Sequence, residues 1–464
     1  MGNYSLKQKM LNAFPGTIVS RGGDGGEVGN EPIGRPLSDG LTTKSGKRMT
    51  EMDAHRKFSD IERSFGSPFY LFDQDAFARN FRELRAAFTR HYPDIVIGYS
   101  YKTNYIPYVC RMASDLGAHA EVVSRLELDL ALRIGCNPEE IIFNGPIKGK
   151  DDLELAIRGG MLLNIDTFRE LEEVTEFARL NPTTVVNIGL RVNIPLVDDE
   201  GKSQLQEHLP TGRFGFSPEA LGEAAHQIRS QSNIRVNALH GHTSSSTRSV
   251  WVYRTIVRCL SAAAERHFSD TIEYLNLGGG FFGHRVPEMG LCDTPSYGDY
   301  AEAVGEELRR HPWVKARRPR LIIEPGMAVV ADTMSFVTRV FEVKKIGERR
   351  LAVVDGSIFN VKPTLHHRNH PYEVIKGNGA SRPRSNYDVV GATCMEKDCL
   401  LQNIECEEIE RGDFIQIGNV GAYTIVLTPP FIHPSPPILI HDGEDHKVIR
   451  RRQEFSDVFG TYTF

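Results

Sequence analysis

Lys102 stands in Tyr99-Ser100-Tyr101-Lys102-Thr103-Asn104, directly behind the apolar run Ile95-Val96-Ile97-Gly98. An ammonium ion at the end of a buried strand costs on the order of several kcal/mol to desolvate unless it is paired, neutral or covalently used. Held that way, a lysine amine can form a Schiff base with an aldehyde cofactor. The plain alternative is a strand-ending lysine whose charged head reaches solvent. Three more polar or glycine-rich stretches follow apolar runs: Leu239-His240-Gly241-His242-Thr243-Ser244-Ser245-Ser246, Asn276-Leu277-Gly278-Gly279-Gly280-Phe281 and Ile323-Glu324-Pro325-Gly326. Gly278, Gly279 and Gly280 have no side chains, so their amides can approach a phosphate closely. A strand-to-helix turn built only for packing more often needs one glycine than three in a row.

These groups need a scaffold that gathers strand ends. The pattern predicts a first strand at Ser67–Phe72 and a helix over Asp75–Phe88, then strand-like and helix-like stretches in alternation to about residue 327. From the Lys102 strand onward the strand-like runs number eight: Ile95 to Tyr99, Ala120–Val123, Glu140–Asn144, Leu162–Ile165, Val185–Val192, Val236–His240, Glu273–Leu277 and Arg320–Glu324. Eight βα units over about 250 residues is the size of a (β/α)8 TIM-like barrel, an α/β fold whose chemistry lies at strand C-termini. A doubly wound open sheet is the runner-up, but no Gly-x-Gly-x-x-Gly follows the first strand. After residue 328 the texture turns to β-type runs (Ser335–Val343, Arg350–Val354, Tyr387–Val390, Asp413–Ile417), which predicts a second, mainly β domain. The expected organisation is a flexible segment over 1–50, a strand region over 51–74 packing with the β domain, the barrel over 75–327 and the β domain over 328–464.

Bulk properties narrow the function classes. The 464 residues are 40% hydrophobic and 25% charged, with a net charge of -5. That balance gives no footprint for nucleic acid or acidic lipid. No apolar stretch reaches the roughly 20 residues a membrane span needs, and Met1 to Phe14 lack a secretory core. Seven scattered cysteines, an odd number, suit reduced thiols in a cytoplasmic enzyme better than a disulfide framework. His366, His367 and His370 have no acidic or thiol partner at ligand spacing, so no metal is expected and the loop is read as facing solvent or substrate.

Lys102, the His242 and Ser245 stretch, the glycine triplet and Glu-Pro-Gly fall in order with Gly391-Ala392-Thr393-Cys394-Met395-Glu396-Lys397-Asp398 and Gly421-Ala422-Tyr423-Thr424. Together these six motifs resemble the fold-type III decarboxylases that use pyridoxal 5'-phosphate (PLP), among them diaminopimelate and ornithine decarboxylases. The resemblance runs from about residue 67 to 430. It implies that Lys102 carries the cofactor as a Schiff base, that Ser245, Gly278, Gly279, Gly280 and Tyr423 hold its phosphate, and that His242 stacks on its ring. Glu324 then pairs with the pyridine nitrogen, keeping it protonated so that the ring accepts electrons from a breaking Cα bond. Glu121 stands where relatives often carry Asp beside the cofactor. Cys394 matches a cysteine that arrives from the second subunit of a homodimer and protonates Cα, a task suited to a thiol with an ordinary pKa near 8.5. Asp398 matches an acidic position near the substrate. Gly212-Arg213-Phe214-Gly215-Phe216 resembles a short structural element of the family.

Departures from the family fall in the substrate pocket. Diaminopimelate decarboxylases usually continue Glu-Pro-Gly with Arg, where this chain has Met327. A second arginine and a tyrosine that hold substrate carboxylate map approximately to Lys362 and His366, and the glutamate after the cysteine is Met395. Loss of a guanidinium fork weakens planar carboxylate recognition. The expectation is therefore decarboxylation of a small-molecule substrate, an α-amino acid that is either a diamino acid or an amino-acid conjugate of specialised metabolism. Racemisation or epimerisation on the same barrel is the nearest alternative, although alanine racemases place an arginine at the ring nitrogen. A non-catalytic PLP-binding homologue is the alternative from another class.

Overall fold

The computed structural model describes residues 50–464, apart from 246 and 443–444. The segment expected to be flexible lies, but for Thr50, outside the described residues. In chain order the first nine strands are β1 (Phe69–Phe72), β2 (Ile95–Ser100), β3 (His119–Val122), β4 (Ile141–Phe143), β5 (Leu162–Ile165), β6 (Val186–Arg191), β7 (Ile234–His240), β8 (Tyr274–Asn276) and β9 (Arg320–Ile323). The chain divides into two units: residues 78–284 with 294–329, and residues 50–77 with 285–293 and 330–464.

The first unit is the expected barrel. Strands β2 to β9 close on themselves, all parallel, with β9 returning to β2 through Ile97 and Ile323. Helices such as Arg125–Arg133, Phe168–Leu180, Pro218–Arg229 and Val250–Phe268 connect them. Local chemistry sets where these helices begin. Ser124, Thr167 and Ser217 accept a hydrogen bond from the amide three residues on, which satisfies an otherwise orphaned donor. Val96, Ile142 and Ile322 form a cluster joining β2, β4 and β9. Since β4 is neighbour to neither of the others, the cluster runs through the barrel interior. Burying side chains of this size contributes about 1.5–3 kcal/mol each. Gly189 on β6 leaves room for a polar residue inside: a Cβ there would lie 2.0 Å from Asn164 Oδ1.

The second unit is built on a mixed sheet that includes β10 (Met334–Ile346), β11 (Arg349–Val354), β12 (Tyr372–Ile375), β13 (Arg384–Val390), β14 (Cys399–Glu407), β15 (Phe414–Ile417), β16 (Ile438–Asp442) and β17 (Asp445–Arg450). Its order is β14-β13-β11-β10-β1-β16-β17, with β15 bridging β10 and β12. Strand β1 runs antiparallel to β10 and parallel to β16. Residues 51–65, expected within a strand region, are instead a helix: Thr50 Oγ1 accepts the Asp53 amide at 3.2 Å. Ala54, Phe58 and Ile61, at helical spacing, are buried in one cluster with Phe69, Leu71, Val337 and Phe414. Among the described residues no helix is long and apolar enough to cross a membrane.

Candidate active site

Strand register decides which side chains meet at the mouth of the barrel. Ser100, the last residue of β2, pairs with Glu121 on β3. Arg191, last on β6, pairs with His240, last on β7, which pairs with Asn276, last on β8. Asn144 and Glu324 follow β4 and β9 directly. Each apolar strand thus ends in or beside a polar residue, and barrel closure turns a linear pattern into a polar ring.

Lys102 occupies a short 3₁₀ turn just past β2. Its amine does not simply reach into solvent: it donates to the fully buried Glu121 carboxylate and, at 3.3 Å, to Ser100 Oγ. The lysine side chain keeps 31% exposure against 0% for Glu121, so the amine is paired on one side and reachable on the other. Asn144 Nδ2 donates to Glu121 Oε1 at 2.9 Å and to Glu324 Oε1 at 2.8 Å, joining the two carboxylates through one amide. Asn144 is oriented in turn by Asn164, whose Nδ2 donates to its Oδ1 at 2.8 Å.

Glu324 is buried and also accepts from Asn276 Nδ2 at 2.6 Å. His240 Nε2 lies 3.5 Å from Glu324 Oε2, without a formed hydrogen bond. Burial alone would raise the Glu324 pKa; His240, the Lys102 ammonium and the Asn276 amide outweigh it and hold the carboxyl well below its ordinary range. Glu324 is an ionised carboxylate at neutral pH, able to hold a proton on an aromatic nitrogen placed before it.

His242 is neutral for the opposite reason. Desolvation, then the charges of Arg191 and Lys102, push its pKa well below the ordinary value. The Gly279 amide donates to Nδ1 at 3.2 Å, which leaves the ring proton on Nε2. A neutral, oriented imidazole is a suitable plate for a flat ring. The glycine triplet divides its work. A Cβ on Gly278 would come within 2.2 Å of His242 Cβ, and one on Gly279 within 2.2 Å of the Glu324 carbonyl oxygen. Those two glycines serve close packing. Gly280, left-handed at φ +89, is less crowded than the other two, although a Cβ there would still meet Tyr253 Oη at 3.3 Å and His242 Cε1 at 3.9 Å. Among the described residues, the Gly280 and Phe281 amides have no acceptor. Ser245, buried on the loop after β7, accepts the Arg248 amide at 2.9 Å. The residues present therefore fit PLP: an amine that can be covalently joined, an ionised carboxylate for the ring nitrogen, a neutral plate, and amides with a hydroxyl for a phosphate.

The remaining expected residues belong to the β unit. Cys394 is exposed on the loop between β13 and β14, whereas Cys110, Cys136, Cys399 and Cys406 are buried. Asp398 is buried, and its carboxylate accepts from the Ile358 amide (2.7 Å), the Thr393 amide (2.9 Å) and the Thr393 hydroxyl (2.5 Å). Its oxygens shape the Cys394 loop. Lys362 follows a short helix, Ile358–Val361, and burial lowers its pKa to about 8. His366 is lowered to about 4 by burial and then by Lys362, and its Nδ1 has no hydrogen-bond partner. It stacks on His370 at 5.4 Å; His370 is buried, so the histidine loop is not simply solvated. Tyr423 is half-buried in a turn, left-handed at φ 55.

Sequence reasoning missed Ser100, Asn144, Asn164, His240 and Asn276 as site residues. The available signal was the polar residue at the end of each apolar run. It also missed Glu127, whose carboxylate accepts the Val123 amide at 2.7 Å and whose pKa is pushed up to about 7, chiefly by burial. The Gly212–Phe216 element is structural as read. The Arg191 and Arg213 guanidinium groups lie 4.3 Å and 4.1 Å from the centre of the Phe214 ring, and the Gly215 amide donates to Asp166.

Residues 76–331 match the family profile of the pyridoxal-dependent decarboxylases, pyridoxal binding domain. A probable chloroplastic diaminopimelate decarboxylase of Oryza sativa subsp. japonica is 31% identical over 398 residues, 84% of this chain and 78% of that one. The diaminopimelate decarboxylase of Aquifex aeolicus is 26% identical over 404 residues, 85% and 91% of the two chains. The crystal structure of diaminopimelate decarboxylase from M. jannaschii with L-lysine shares the fold, with a TM-score of 0.78 at 22% identity, covering 92% of this chain and 98% of that one.

Proposed function

From the premise that this chain belongs to the pyridoxal-dependent decarboxylases and is a PLP-dependent amino-acid carboxy-lyase, we propose a substrate and a division of labour among its residues. The substrate is a diamino acid or an amino-acid conjugate of specialised metabolism. The relatives named diaminopimelate decarboxylase support an amino acid with a polar far end. The departures at Met327, Lys362 and His366 support a far end other than the one an arginine fork would hold.

PLP supplies an electron-accepting ring for the Cα–carboxylate bond to break into. Lys102 binds the cofactor, and Glu121 holds that lysine at the mouth of the barrel. Glu324 keeps a proton on the ring nitrogen, and His242 sets the ring plane. Gly280, Phe281, Ser245 and Tyr423 hold the phosphate. Cys394 Sγ gives a proton to Cα after carbon dioxide leaves, Asp398 fixes the shape of its loop, and Lys362 and His366 receive the far end of the substrate. Two copies of the chain complete each other's sites in a homodimer, which operates in the cytoplasm; free thiols suit that compartment.

The observation that carries the reading is the single amide of Asn144 linking the Lys102–Glu121 pair to an ionised Glu324. Its test is to incubate purified protein with a panel of diamino acids and carboxylated conjugates and follow released carbon dioxide. The expected result is release from one class only, and retained substrate with inverted chirality would replace decarboxylation by racemisation. Borohydride reduction followed by peptide mapping should label Lys102. Mixing inactive Lys102→Ala with inactive Cys394→Ala should recover part of the activity; no recovery removes the shared site.

A further inference from the structure

Arg248 lies three residues past Ser245 and was absorbed by none of the roles above. It is buried, on the loop between β7 and the helix Val250–Phe268, with left-handed backbone at φ 49. That conformation is unfavourable for a residue with a Cβ and persists only where the surroundings impose it. They do so here at both ends of the residue. The Arg248 amide donates to Ser245 Oγ at 2.9 Å, and its carbonyl accepts from Tyr300 Oη at 2.7 Å. The Phe282 amide lies 3.5 Å from that same hydroxyl, linking this loop to the one carrying the glycine triplet.

The side chain extends from this clamp to the other two loops. Its guanidinium lies 5.1 Å above the Phe282 ring, two residues past Gly280. Its Nη1 lies 3.6 Å from the sulfur of Met327, the residue directly after Glu324-Pro325-Gly326. The loops after β7, β8 and β9 therefore meet around one guanidinium. At the position where diaminopimelate decarboxylases usually carry an arginine, this chain holds a thioether with an arginine from another loop laid against it.

We infer that Arg248 is a cofactor-binding residue whose guanidinium clasps the phosphate held by Ser245 and the Gly280 and Phe281 amides. The inference rests on the reading of those groups as the phosphate cradle. An arginine fork suits a tetrahedral dianion because it offers parallel N–H donors and a charge that does not titrate. The Phe282 ring lies over the guanidinium and Nη1 donates to the Met327 sulfur, so both neighbouring loops hold the fork in place.

The experiment measures equilibrium binding of PLP, and of pyridoxal without the phosphate, to apo-protein by absorbance. Wild type, Arg248→Met, Arg248→Lys and Ser245→Ala are compared, with circular dichroism confirming the fold. Arg248→Met should weaken PLP binding roughly 10- to 100-fold while leaving pyridoxal affinity unchanged. Arg248→Lys should recover part of that loss, because it keeps the charge and loses the fork. Unchanged PLP affinity in Arg248→Met, with Ser245→Ala impaired, overturns the inference and leaves the cradle standing. A raised KM with unchanged PLP affinity also overturns it, placing the guanidinium on a substrate carboxylate instead. If wild type binds pyridoxal as tightly as PLP, the cradle itself is wrong, and Arg248 falls with it.

Discussion

At the barrel mouth the amine of Lys102 meets the Glu121 carboxylate, and Asn144 joins Glu121 to Glu324. In the β unit, a buried Lys362 ammonium stands beside a partly buried His366, whose imidazole is neutral at pH 7. Among the described residues no carboxylate lies within ion-pair distance of either, and both pKa values are driven down by burial. Opposite charges paired by fixed amides form a preorganised device, ready before any substrate arrives. Buried basic groups without an acidic neighbour form a site that gains its counter-charge with a ligand. The proposed division of labour follows that contrast, with bond breaking assigned to the barrel mouth and substrate choice to the β unit.

The largest effect expected on that division comes from Lys102→Ala. Removing the amine should lower carbon dioxide release by roughly a thousandfold or more; a variant retaining turnover would break the assignment of chemistry to the barrel. Glu324→Gln comes next. It keeps the shape and removes the charge, so kcat should fall by about a hundredfold, near 3 kcal/mol of lost transition-state stabilisation, with little change in KM.

Lys362→Met sharpens the other side. With the barrel intact, kcat should stay within a few-fold, and KM for a substrate with a distal anion should rise roughly tenfold at pH 7. The wild-type KM should itself rise as pH passes about 8, since an amine with a lowered pKa is cationic only below it. A flat KM profile, or a fall in kcat instead, would erase the distinction between the two regions.

The smallest effect concerns stability. Glu127 has a folded pKa near 7 against an ordinary value of 4.5. A raised carboxyl pKa favours the folded state fully below pH 4.5, and that contribution is lost as pH rises through about 7. Glu127→Gln, which cannot ionise, should therefore be more stable than wild type at pH 8, by about 1–3 kcal/mol, with the gap closing near pH 5. Denaturant unfolding at both values measures it; a gap that widens on acidification would reverse the assignment.

Local pattern carried much of the scaffold. Eight apolar runs with intervening helices were legible because a barrel repeats one short-range unit, and closure of the sheet follows once eight are present. The β unit was read less completely. Strands β12, β14, β16 and β17 were not anticipated: β12 pairs with β15, about forty residues on, and the β13–β14 and β16–β17 pairs mix polar and apolar residues. The helix over Glu51–Phe65 was also passed over, although Ala54, Phe58 and Ile61 carry its spacing. In the site, Lys102, His242, Ser245 and Glu324 were visible because each sits in a distinctive short motif. Single polar residues such as Asn144 and Asn276 carry no such mark.

The sequence by itself determined the kinds of groups available: an amine at a strand end, a carboxylate before Pro-Gly, and glycines where a Cβ would collide with His242 or the Glu324 backbone. Only the tertiary structure decided the partners. Asn144 lies 180 residues from Glu324 and Arg248 lies 79 from Met327, yet strand register and barrel closure bring each pair into contact. Periodicity along a chain fixes which face a residue occupies; which distant residue stands opposite is settled by how strands pair, and that pairing supplies the electrostatics on which the chemistry depends.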